Sequence, residues 1–210
     1  MNIGPPITLK EIIVELETYA EKYTTCIGEL IQSDSQRIRS VDLLALPVLN
    51  RSTRLVSGFL SLIENQNYLC AIPLIRLQLD NSIRFYSTYL VNDPGALILE
   101  FLKGTPITKM KDRSNQTMSD SYLASELDKL FPGVKKIYRD TSGFIHLSDK
   151  HFYSTIDQST ENAGRMAFGD GPDLFTYPEQ VNFVNQMVQT SELVLKVIES
   201  WKLYKQSQSM

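Results

Sequence analysis

Over most of the chain, apolar residues recur every three or four positions, the spacing of an amphipathic helix rather than the alternation of a strand. From residue 9 to residue 31, Leu9, Ile12, Ile13, Leu16, Ala20, Tyr23, Ile27, Leu30 and Ile31 form one such stripe. It opens with Thr8-Leu9-Lys10-Glu11, a capping box in which the Thr hydroxyl and the Glu carboxylate each satisfy a backbone N–H that the first turn leaves open. A second helix is expected within 41–64, with Val48, Leu55, Val56, Phe59, Leu60 and Ile63 on its core face. Pro47 either begins that helix, where its missing N–H is harmless, or kinks it. A third helix, 68–91, is apolar on several sides, because Leu74 and Leu77 lie away from the Ile72, Ile75, Leu79, Ile83 stripe. That is the pattern of a helix surrounded by others.

Short helices are expected at 96–102 and 120–131, separated by a polar loop over 103–119. Pro132-Gly133 ends the second of them, and another helix is expected over 134–148. Then the pattern changes. Segments 151–156 and 165–168 are β-prone, with a polar turn over 157–164 between them, and predict a hairpin. Thr176-Tyr177-Pro178-Glu179 is a second capping box, and Val181, Val184, Val188, Leu195 and Ile198 give the last helix its core face. The expected architecture is all-α: one domain over 1–210, a helical bundle with a small β-hairpin inserted at 151–168 before the C-terminal helix.

Composition narrows the function only by exclusion. The 210 residues are 42% hydrophobic, with 21 Lys and Arg against 24 Asp and Glu, a formal charge of −3. A disordered tail, a collagen, a disulfide scaffold and a nucleic-acid binder relying on overall positive charge are excluded. The charge is uneven, however: residues 101–140 hold eight basic side chains against five acidic ones. Cys26 and Cys70 form no CxxC pair and have no His nearby, so both are expected to be buried thiols. No apolar run approaches the ~18 residues of a spanning helix, and the N-terminus does not read as a secretory signal. A cytoplasmic protein without a membrane partner is therefore expected. Carboxylates are scattered without a Glu-x-x-His pair, and Gly169-Asp170-Gly171-Pro172 does not open a helix as a phosphate loop must. No metal or cofactor is expected.

Two groups of residues carry candidate chemistry. On the helix expected over 134–148, Lys135, Arg139, Ser142, His146 and Asp149 form a polar line beside the apolar arc of Val134, Ile137, Tyr138, Thr141, Phe144 and Ile145. Seven residues are two helical turns less about 20°, so Arg139 and His146 are expected to share a face roughly 10 Å apart along the axis, close enough for both to reach one phosphate. On the third helix, Arg76, Asp80 and Arg84 are four residues apart in turn, so Asp80 can pair with either Arg. They read equally as a partly buried ion network that fixes packing, or as an Arg lining the same cleft as His146 with Asp80 orienting it.

The run Ile137-Tyr138-Arg139-Asp140-Thr141-Ser142-Gly143-Phe144-Ile145-His146-Leu147-Ser148 resembles the HEPN family. Its motif is an Arg followed by a polar residue and, within a few residues, a His. The match is to a bacterial branch in which a Tyr-Arg pair precedes a Ser and an apolar residue before the His. Leu74-Ile75-Arg76-Leu77-Gln78-Leu79-Asp80 is a second likeness, to an Arg and an acidic residue four apart on an earlier apolar helix. The Arg–His spacing is at the long end of the range, and Leu147 stands where a Pro is frequent. The resemblance implies a helical bundle that is often a dimer, and in many members a metal-independent ribonuclease of toxin–antitoxin or phage-defence systems. Carried over, Arg139 and His146 would be the catalytic pair at the dimer cleft, with Asp140 as the polar residue after the Arg.

The residue types suit that chemistry. An imidazole with an unperturbed pKa near 6.5 can take a proton from a ribose 2′-OH or give one to a leaving oxygen. An Arg fork holds a phosphate and stabilises the charge it gains in the transition state. Only one His per chain lies on the polar line, so an acid and a base together require a homodimer. The alternatives are a non-catalytic module that binds nucleotide or a protein partner, such as an antitoxin or defence subunit, and a helical interaction protein whose polar line is solvated.

Overall fold

The structure is a computed structural model that describes residues 8–156, 166 and 174–207. The first stripe forms two helices, α1 (Leu9–Glu17) and α2 (Tyr19–Gln32). They part at Thr18, whose hydroxyl donates to the Glu15 carbonyl at 2.7 Å and competes with the helical ladder there. The capping box is present: the Thr8 N–H donates to Glu11 Oε2 at 2.7 Å, and the Glu11 N–H donates to Thr8 Oγ1 at 3.3 Å. Helix α3 (Asp42–Glu64) begins five residues before Pro47 and runs through it. The ring forfeits one ladder bond, but the buried Leu44, Val48, Leu49 and Phe59 hold the helix to the core on either side of it.

Helix α4 (Tyr68–Tyr86) is shorter than the pattern predicts and passes into a 3-10 turn at Ser87–Tyr89. Helix α5 (Pro94–Leu102) starts where Asp93 accepts from the Ala96 N–H at 3.0 Å, with Pro94 in the first turn. Then come α6 (Asp120–Asp128), α7 (Val134–Ser142), α8 (Asp149–Tyr153) and α9 (Tyr177–Ser207). The second capping box sits at the start of α9, with the Thr176 N–H donating to Glu179 Oε2 at 2.8 Å.

Helix α4 packs against α3, α6, α7 and α9, as its many-sided apolar pattern predicts. Ile72, Ile75, Leu79 and Ile83 have no exposed surface. Polar groups buried between the helices are joined to one another and, at one end, to the exposed Arg51. Arg51 Nη1 donates to Asn81 Oδ1 at 2.5 Å, Asn81 Nδ2 to Gln78 Oε1 at 3.2 Å, and Gln78 Nε2 to the Tyr23 hydroxyl at 2.7 Å. That hydroxyl donates to the Ser191 carbonyl at 3.0 Å. At the start of α3, Asp42 accepts from Lys205 Nζ at 2.7 Å and from Trp201 Nε1 at 2.7 Å, and Lys205 also donates to the Leu30 carbonyl at 3.0 Å. Both charges of this pair are fully buried.

The all-α class holds among the described residues, which contain no strand, and the expected hairpin is not confirmed. Its expected first arm, 151–156, begins inside α8, because Ser148 caps a helix there. The Ser148 N–H donates to His151 Nδ1 at 3.2 Å, and the Lys150 N–H donates to Ser148 Oγ at 3.3 Å. The β-prone side chains of His151, Phe152 and Tyr153 are overruled by that cap. A single antiparallel bridge joins Ile156 and Met166. The turn over 157–164, the rest of the second arm and the 169–172 segment lie outside the described residues. Of the two cysteines, Cys26 is buried and Cys70 is exposed, against the expectation that both are core thiols.

Candidate functional site

Helix α7 is built to carry a polar face. Gly133 precedes it at φ 108°, a left-handed turn that disfavours any side chain. Asp128, at the end of α6, accepts from the N–H groups of Gly133 at 2.9 Å and Lys135 at 3.0 Å and so satisfies the first turn. Val134, Ile137 and Thr141 are buried; Lys135 and Arg139 point outward. Neither Lys135 nor Arg139 has a side-chain hydrogen bond or ion pair among the described residues, whereas Lys103, Lys129 and Lys136 nearby are paired with Glu100, Glu126 and Asp140.

The helix ends at Ser142, six residues before the sequence pattern predicts. The Thr141 hydroxyl donates to the Ile137 carbonyl at 2.7 Å, and the Ser142 hydroxyl turns back to the Tyr138 carbonyl. Two such bonds in succession weaken continuation of the ladder. The chain leaves through turns of one residue less, the Phe144 N–H donating to the Thr141 carbonyl at 3.1 Å. The freed carbonyls are taken up from α8: Ser148 Oγ donates to Gly143 at 2.7 Å and Lys150 Nζ to Asp140. Gly143 gives the Lys150 stem room to cross, since a Cβ there would stand 2.9 Å from Lys150 Cδ.

His146 therefore lies on an exposed bend after α7 and does not share a helical face with Arg139, which corrects the geometry expected from a continuous helix. It makes no hydrogen bond or ion pair among the described residues. Asp140 is paired with Lys136, and the Ser142 hydroxyl donates to the backbone. Around His146, apolar side chains face solvent: Ile145 and Phe152 are exposed, and Leu147 is 91% exposed.

Arg76, Asp80 and Arg84 are brought together, with two residues that their spacing did not reveal. Arg76 Nη1 pairs with Asp80 Oδ1 at 2.6 Å and Nη2 reaches Asp120 Oδ2 at 3.4 Å, while Arg84 pairs with the same Asp120. The Arg76 guanidinium lies over the Tyr138 ring, 4.4 Å from its centroid. Burial opposes charge on Arg76, but its bonds to Asp80 and Tyr138 outweigh this and raise its pKa. The sequence held one clue to Asp120: two Arg for one Asp on a buried helix require a second carboxylate. No hydrogen bond or ion pair joins Arg139 or His146 to this network among the described residues. Sequence spacing thus anticipated the pairing of Arg76 with Asp80, and the two groups do not form one site through direct contact among the described residues.

Among the described residues no group of three or more His, Cys, Asp or Glu side chains is placed to hold a metal ion, and no helix is long and apolar enough to cross a membrane. Comparison with known proteins returns no family model, no curated protein and no solved structure that matches the chain.

Proposed function

We propose that the chain is a HEPN-like module acting as a homodimeric, metal-independent endoribonuclease, with Arg139 and His146 of each copy at the cleft between the two. The observation that carries this reading is the availability of the two motif side chains. Both are exposed and unpaired among the described residues, whereas Arg76 and Arg84 on α4 and the lysines Lys129 and Lys136 are in ion pairs. The exposed Ile145, Leu147 and Phe152 beside His146 supply apolar surface that a second copy would cover.

In this scheme Arg139 holds the scissile phosphate. One His146 takes the proton of the ribose 2′-OH as its oxygen bonds to phosphorus. The His146 of the second copy protonates the 5′ oxygen as the P–O bond breaks, leaving a 2′,3′-cyclic phosphate and a 5′-hydroxyl. The test is incubation with structured RNA in excess chelator, with analysis of the ends produced. The wild type should cut, and Arg139→Ala and His146→Ala should each lose about 100-fold or more in rate. Their melting temperatures should stay within about 2 °C of the wild type, since exposed, unpaired side chains contribute little stability. Absence of cutting by the wild type, or equal cutting by the variants, overturns the catalytic reading.

One observation favours a second reading. Because α7 ends at Ser142, no single helix fixes His146 relative to Arg139. A non-catalytic module of the same kind, binding nucleotide or a protein partner such as an antitoxin or defence subunit, needs no such fixed geometry. It predicts that RNA or nucleotide is bound through Arg139 and released uncut.

A further inference from the structure

The Arg84 end of the α4 network opens onto a cavity of 420 Å³ between α3, α4, the end of α5 and the segment 106–108. Its size falls within the range of small-molecule sites. Two features set it apart from a surface crevice. Its walls are apolar side chains left open to solvent, with Leu43, Phe101 and Leu102 exposed by 45%, 38% and 58%. Its polar side chains are few: Arg51, Asp80, Asn81 and Arg84 from α3 and α4, with Thr108 from the 106–108 segment.

The charges there do not cancel. Asp80 is taken by Arg76, and Asp120 is shared between Arg76 and Arg84. Among the described residues Arg51 donates to the neutral Asn81 amide and pairs with no carboxylate. Three guanidinium groups therefore face two carboxylates, an excess of one positive charge. Donor capacity is also left over, because Arg84 Nη1 is buried without a hydrogen-bond partner among the described residues. A half-buried guanidinium with an unused N–H group favours an anionic acceptor, which its planar fork binds in two-point fashion.

The geometry points to a binding site for a monoanionic organic acid: a carboxylate held by Arg51 and Arg84, with an apolar body of on the order of ten to fifteen non-hydrogen atoms lying against Leu43, Phe101 and Leu102. A nucleotide fits less well, because its sugar and second phosphate charge would meet walls whose polar atoms are confined to Asn81, Thr108 and the ionic groups. This site is separate from Arg139 and His146 and does not depend on the ribonuclease reading.

Titration calorimetry with decanoate tests it, using decanol and adenosine monophosphate as controls. Decanoate is expected to bind, with decanol and the nucleotide each about tenfold or more weaker. Arg51→Gln, which keeps an N–H for Asn81 but removes the charge, should weaken decanoate about tenfold and leave decanol unchanged. Leu102→Glu, a change at an exposed rim position, should weaken decanoate through like-charge repulsion. Both variants should keep the wild-type melting temperature to within about 2 °C. No heat of binding up to about 1 mM decanoate, equal affinity for decanol, tighter binding of the nucleotide, or decanoate binding indifferent to both variants would overturn the proposal.

Discussion

Lys205 and Arg139 are both cations on helices, and the fold treats them in opposite ways. Lys205 has no exposed surface and is fixed by a carboxylate, with the Leu30 carbonyl and the Trp201–Asp42 bond completing the cluster. Arg139 stands in water on the outer face of α7. A buried charge is tolerated only with its partners, so every member of the Lys205 cluster is required by folding. An exposed, unpaired Arg contributes little to folding. His146 is likewise exposed and makes no hydrogen bond or ion pair among the described residues, so neither side chain is required to hold the bundle together.

The sharpest way to break this contrast is Asp42→Ala. It removes the counter-charge of a fully buried ammonium and the acceptor of Trp201 Nε1, and should cost roughly 3–5 kcal/mol in chemical denaturation. A loss below about 1 kcal/mol would mean that the α3–α9 junction is open to water in solution. Arg76→Met should fall between the extremes. It leaves Asp80 without its close cation while Arg84 still neutralises Asp120, so a loss of roughly 2–3 kcal/mol is expected by the same measurement. A loss as small as that of an exposed Arg would show the α4 network to be a solvated arrangement.

The smallest effect is expected at the loop before α6, where the Tyr122 hydroxyl donates to Asp112. That bond holds the Asp112 carboxyl below the ordinary value of 3.8, aided by backbone N–H groups of Ser114 and Gln116. A lowered carboxylate pKa stabilises the fold above its unfolded-state value, and the contribution is lost as pH falls through the folded-state value. Tyr122→Phe should therefore lower the melting temperature by less than about 2 °C at neutral pH. The gap should close as the pH is taken below 3.8, and a gap that widens in acid would contradict the assignment.

The bundle was legible where local chemistry and packing agree. Thr8 and Thr176 cap helices as their Glu partners predict, and the many-sided apolar pattern of α4 identified it as the central helix. The end of α7 was not legible, because Phe144 extends the apolar periodicity while the hydroxyls of Thr141 and Ser142 end the ladder. The helix at α8 was hidden for a related reason: its capping box uses His151 in the place usually held by Glu or Gln. In the α4 network the pairing of Arg76 with Asp80 follows from spacing, whereas Asp120 and Tyr138 arrive from distant segments that only the packing of α6 and α7 brings near. Among the described residues Arg51 has no local partner and is connected through Asn81.

The polar groups that cross the bundle from Arg51 to Ser191 have a direction. Arg51 can only donate and the Ser191 carbonyl can only accept, so the amides of Asn81 and Gln78 and the hydroxyl of Tyr23 must all point the same way between them. Turning either amide over would set donor against donor inside the core. Tyr23, Gln78 and Asn81 therefore behave as one unit of inheritance: a change at one of the three penalises the sequence until its neighbours change too. Substitutions among Tyr23, Gln78 and Asn81 should be strongly non-additive, and the lineage should exchange them as a set or keep them all.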